Sequence, residues 1–114
     1  MDAAAALADL VEISPQIEAA AVVSQNGELA GSVGVPEARA GVLARVVREL
    51  LDGAAAFRSD QGRVTQLHAE LADGEVFAVS GTDEAIVAVA RERTTPGIVF
   101  YDLKRCLAAV TSET

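Results

Sequence analysis

Residues 37–56 read EARAGVLARVVRELLDGAAA. Val42, Leu43, Val46, Val47, Leu50, Leu51 and Ala54 recur at the three- and four-residue spacing of a helix face. Pro36 stands just ahead and Glu37 suits the first turn, where a fixed φ and a negative charge both favour a helix start. Placed at about 100° per residue, the apolar side chains run from Val42 through Val46, Leu50, Leu43, Ala54, Val47 and Leu51 to Ala44, an arc of about 200°. A helix lying on one sheet needs a stripe of roughly 100° or somewhat more. The surplus calls for a further cover, from an unassigned part of the chain or from a second molecule. With the other elements committed, a second copy is the expectation. The remaining arc carries Arg45, Arg48, Glu49 and Asp52, either a solvated face or a polar recognition surface.

Upstream, residues 2–13 read as a short helix. Asp2 can cap it, Ala3–Ala6 favour it, and Leu7, Leu10 and Val11 share a face. Ser14-Pro15 stops it, because a residue before proline avoids the helical region. Ile17–Ser24 is a short buried strand and Glu28–Val33 its return. Asn26-Gly27 between them tolerates the positive φ angles of a type I′ turn. Gly34-Val35-Pro36 closes the return strand.

Downstream, Asp60-Gln61-Gly62 breaks into a strand over Arg63–Leu71. Thr65, Leu67, Ala69 and Leu71 alternate there with Val64, Gln66, His68 and Glu70, a pattern that suits a sheet edge or a strand lying under a partner. Ala72-Asp73-Gly74 is a second hairpin turn, with Asp-Gly again tolerating positive φ. Glu75–Ser80 is a strand with Phe77 and Val79 on one face, Gly81-Thr82-Asp83 turns, and Ala85–Ala90 is apolar enough to be buried on both faces. Thr95-Pro96 starts a last helix with Val99, Leu103, Cys106, Leu107 and Val110 inward, and Thr111–Thr114 should fray.

The resulting class is α/β (α+β), in the order helix, two strands, helix, three strands, helix. Short hairpins make the sheet mostly antiparallel, and helices must cover both faces. A length of 114 residues fits a single domain over 1–114, and 51% apolar residues exclude wholesale disorder. Aromatics are 4%, without Trp, leaving little stacking surface for bases or sugars. Nine Lys+Arg against 17 Asp+Glu give a net charge of −8, which argues against nucleic acid and anionic membranes as partners. Pure apolar runs are far too short to span a bilayer, and Met1-Asp2-Ala3 lacks the basic start of a secretory signal, so a cytoplasmic location is expected.

The single Cys106 and single His68 rule out an internal disulfide and a structural zinc site, which needs about four ligands. His68 and Glu70 share a strand face and are the only acid–base candidates, with a structural histidine as the plainer reading. Cys106 reads as a buried structural thiol. Gly31-Ser32-Val33-Gly34 lacks the spacing and the Lys-Ser/Thr of a phosphate cradle. Asp9 and Glu12 read as solubilising charges, and Asp102, Lys104 and Arg105 as a solvated face or docking charges. Hence no catalytic residue, metal or cofactor is expected.

The string Ala19–Gly31 (AAAVVSQNGELAG) resembles the first hairpin of the Roadblock/LC7 family: an apolar strand, an Asn-Gly turn and a strand reading x-Leu-Ala. Val76–Val79, Ala85–Ala90 and Pro96–Leu103 resemble its last two strands and closing helix. The resemblance covers roughly residues 3–110. It implies a five-stranded antiparallel sheet with the central helix on one face and the terminal helices on the other. It also implies a homodimer through the central helix and the next strand, which merges two sheets into ten strands. Val42, Val46 and Leu50 would then meet across a two-fold axis, with Val64, Gln66 and His68 on the pairing strand. The paired helices of such proteins often form a platform for Ras-like small GTPases, which assigns Arg45, Arg48, Glu49 and Asp52 to partner binding. The implied function is a non-enzymatic regulator or scaffold of a small GTPase. The alternative is a small-ligand sensory domain of PAS or profilin-like type, with a polar-lined pocket between sheet and helix.

Overall fold

The computed structural model describes residues 2–24, 26–55, 66–72, 74–81, 83–91 and 94–111. Eight elements follow in order: α1 (Ala3–Ile13), β1 (Ile17–Ser24), β2 (Leu29–Val33), α2 (Glu37–Ala55), β3 (Gln66–Leu71), β4 (Gly74–Ser80), β5 (Glu84–Ala90) and α3 (Pro96–Thr111). The strands form one antiparallel sheet in the order β2-β1-β5-β4-β3. The most apolar strand, β5, takes the middle, where both faces are covered, and β2 and β3 are the edges.

Local chemistry sets the boundaries. Asp2 caps α1, its Oδ1 accepting from the Ala5 N–H at 2.8 Å. Ser14 ends the helix, its N–H donating to the Leu10 carbonyl. The Pro36 carbonyl accepts the Ala40 N–H at the start of α2. The Thr95 carbonyl accepts the Ile98 and Val99 N–H groups at the start of α3.

The first hairpin differs from the type I′ expectation. Gly27 has φ 89°, whereas Asn26 does not enter the positive-φ region. The Gly27 N–H donates to the Ser24 carbonyl, and the Ser24 N–H to the Glu28 carbonyl. This is a three-residue loop with glycine at the left-handed position, favoured because Asn26 serves through its side chain: Oδ1 accepts from the Ser24 hydroxyl and from the Glu28 N–H. The longer loop moves the start of β2 from Glu28 to Leu29. In the second hairpin Gly74 does not have positive φ. It is the first residue of β4, and a Cβ there would lie 2.6 Å from the Ala90 carbonyl oxygen, so close approach is what demands glycine. The 60–62 break, Arg63, Val64 and Thr65 lie outside the described residues.

Strand alternation divides the core. Ala20 and Val22 of β1 face α1 and α3, where they join Leu7, Leu10, Phe77, Ile86, Val99 and Leu103. Ala21 and Val23 face α2, where they join Val47, Leu51, Ala78, Ala85 and Val87. The terminal helices thus cover one face and the central helix the other. Among the described residues no helix is long and apolar enough to cross a membrane.

Candidate functional site

The face of α2 toward the sheet is narrow. Ala40, Val47 and Leu51 are buried against β1, β2 and β5, and Leu43 is partly buried beside them. A second line of the apolar arc faces away from the sheet. Val42, Val46 and Leu50, spaced i, i+4, i+8 along one line of the helix, are 57%, 55% and 55% exposed. An apolar stripe of this kind on an outer helix face marks a contact surface.

The polar arc does not act as one unit. Arg45, Glu49 and Asp52 are exposed beside the stripe. Arg48 is half-buried and turned toward the first hairpin, its Nη2 donating to the Ser24 carbonyl at 3.4 Å, while its buried Nε has no hydrogen-bond partner.

The second open surface is β3. Among the described residues it pairs with β4 alone, which makes it an edge strand of the sheet. Gln66, Ala69 and Glu70 are exposed, as is Leu71, and Leu67 packs partly under α2. Ala69 and Leu71 lie on the α2 side of the sheet, beyond the strands on which α2 rests.

His68 points to the opposite face. Its ring stacks on Phe77 (centroids 4.5 Å apart, planes at 6°) and meets the edge of Phe100 at 6.4 Å. Its Nε2 lies 2.7 Å from Oε2 of Glu75, and the side chain is only 24% exposed. The other oxygen of Glu75, Oε1, accepts from the Thr94 N–H at 2.8 Å and from the Thr94 hydroxyl at 2.7 Å. The Thr94 hydroxyl is the main influence holding the Glu75 carboxyl below its ordinary pKa; His68 and the Thr94 N–H add to it, and burial opposes them. Sequence reasoning paired His68 with Glu70 and passed over Glu75. The signal was the hairpin register: Leu71 opposite Gly74 sets Glu70 against Glu75 and His68 against Phe77, all on one face.

Between α1 and α3 runs a groove of about 240 Å³, lined among others by Asp9, Ile13, Asp102, Arg105 and Cys106. The Cys106 thiol is buried, donates to the Ala6 carbonyl, and is pushed up to about 11 by burial and the Asp9 charge. It is therefore a protonated packing group rather than a nucleophile at neutral pH.

No family model matches the chain, and no curated protein matches it in sequence. Solved structures do match in fold. A Roadblock/LC7 domain from Streptomyces avermitilis is 21% identical with a TM-score of 0.87, over 98% of this chain and 97% of that one. MglB from Myxococcus xanthus is 19% identical with a TM-score of 0.81, over 96% of this chain and 85% of that one. Profilin IA from Acanthamoeba castellanii is 11% identical with a TM-score of 0.67, over 96% and 98%. The chain thus shares the Roadblock/LC7 fold, as the local strings led one to expect.

Proposed function

We propose that residues 1–114 form one Roadblock/LC7-like domain that homodimerises and acts, without catalysis of its own, as a regulator or scaffold binding a Ras-like small GTPase in the cytoplasm. The uncovered stripe of Val42, Val46 and Leu50 carries this reading. Fully burying a Val or Leu contributes about 1.5–3 kcal/mol. Three such residues from each of two helices reach the scale of association costs, about 4–15 kcal/mol. Pairing of β3 with its symmetry mate would add a backbone ladder, with Gln66 at the seam, and would bring each α2 over the Ala69 and Leu71 that its neighbour leaves bare. Val64, assigned to the pairing edge from the sequence, lies outside the described residues.

Arg45, Glu49 and Asp52 border the stripe and form the proposed GTPase-facing surface, an alternation of charge suited to orienting a partner. Arg48 joins it only from below, since it is partly engaged with Ser24. His68, on the strand proposed to pair, is held to Glu75 and Phe77 and would support that edge from beneath. The sensory alternative has less support: the groove found lies between two helices, not between sheet and helix, and the buried polar side chains are Ser14 and Glu75 among the described residues.

The test is capture from the source cytosol on immobilised wild-type protein and on an Arg45→Glu variant. Recovery by the wild type of a P-loop GTPase, identified by mass spectrometry, and its loss with the variant are expected. Equal recovery by both variants, or no GTPase with either, contradicts the assignment.

A further inference from the structure

We infer that His68, Glu70 and Glu75 form a binding site for a divalent transition cation of the Zn²⁺ class, on the α3 side of the sheet at its β3 edge. One ligand atom from each lies within 4.8 Å of the others. The register that places Glu70 directly across from Glu75 and His68 across from Phe77 brings both carboxylates and the imidazole to one face of the hairpin.

The supporting contacts are those a metal ligand needs. Glu75 is buried, and Thr94 fixes its Oε1 through two hydrogen bonds, leaving Oε2 directed at His68 Nε2. The imidazole plane is clamped on Phe77 and bordered by Phe100. Glu70 is exposed and free to swing in from the rim. Zinc–nitrogen and zinc–oxygen bonds of about 2.0–2.2 Å set neighbouring ligand atoms of a tetrahedron roughly 3.3 Å apart. The 2.7 Å separation of Nε2 and Oε2 must therefore widen by about 0.6 Å. As it widens, the ion takes the place of the Nε2 proton, which relocates to Nδ1 in a neutral ring or is lost to solvent from an imidazolium, so that Nε2 offers its lone pair to the metal. An imidazole with two carboxylates suits Zn²⁺-like ions, whereas Mg²⁺ and Ca²⁺ favour oxygen ligands alone. Three protein ligands leave a fourth position for water or a donor from a bound partner, unlike the closed four-ligand sites that the cysteine and histidine counts exclude. All three ligands come from one chain, so the site stands whether or not β3 pairs with a second copy.

Isothermal titration with ZnCl₂ tests the site, with visible absorption of the Co²⁺-loaded protein as a second readout. Saturation at one Zn²⁺ per chain is expected. His68→Ala and Glu70→Gln should each weaken binding at least tenfold, and Thr94→Val about tenfold through loss of the Glu75 support. Glu70 is exposed, so its variant keeps the fold, which circular dichroism checks directly. Absence of saturable Zn²⁺ binding by the wild type overturns the site. So does binding left unchanged by both His68→Ala and Glu70→Gln, or binding abolished only by Cys106→Ala.

Discussion

The two faces of the sheet are finished to different degrees. The side under α1 and α3 holds Phe77, Leu7, Ile86, Leu103, Val22 and Val99 among the largest fully buried side chains. The side under α2 holds only Val23 and Val87 of that set, and the helix above keeps Val42, Val46 and Leu50 in solvent. Two helices packed against each other close one layer within the chain. Among the described residues, one helix rests on β1, β2 and β5, and Ala69 and Leu71 at the β3 end of the other layer stay exposed. The lesson is that apolar content alone does not identify a core: where the apolar arc is wider than its support, part of it stays exposed within the protomer, and that part is what the proposed interface uses.

The largest single-residue effect should come from the closed side. Phe77→Ala removes a fully buried ring that touches both His68 and Phe100, and should lower unfolding free energy by about 3–5 kcal/mol in urea titration. That loss should be the same at every protein concentration, because it lies within the protomer. A loss that vanished on dilution would erase the distinction between the two faces.

Alkali gives the next effect. Cys106 titrates at about 11 in the fold against 9.0 without it, so the unfolded chain gives up its proton first and stability falls as pH rises from about 9. The expected loss at pH 10 is about 1 kcal/mol, and Cys106→Ala should abolish that part of the pH dependence. Losing the cap of α1 through Asp2→Ala should cost about 1 kcal/mol, read in the same denaturation experiment. On the α2 side, Gly41 has open space where a Cβ would stand, so Gly41→Ala should raise stability by about 0.5–1 kcal/mol. Acid gives the mildest change. The Glu75 carboxyl is depressed in the fold, so its contribution is full above the ordinary carboxylate pKa and fades as pH falls through its lowered one. Glu75→Gln should flatten that acid limb of stability.

Much of this division was legible in the sequence because it is written in periodicity. The arc on residues 37–56, the unbroken apolar run in β5 and the alternation around Phe77 each require only one element to be read. The split of α2 into a buried Val47–Leu51 line and an exposed Val42–Val46–Leu50 line follows from the same wheel. The His68–Glu75–Thr94 arrangement was not legible in that way. It depends on a hairpin register and on the loop before α3 returning to β4, neither of which leaves a mark in any single window. The contact of Arg48 was not legible for a related reason: its position on the wheel is polar, and only the fold brings the Ser24 carbonyl within its reach.

The mass of the particle in solution is the most direct measurement. Light scattering after size exclusion at micromolar concentration should give twice the chain mass of 11.7 kDa for the wild type. Val46→Asp should give the single chain mass with its circular dichroism intact, because Val46 is already exposed within the protomer. A wild-type protein that stays at the single chain mass, or a Val46→Asp variant that stays paired, would contradict the account.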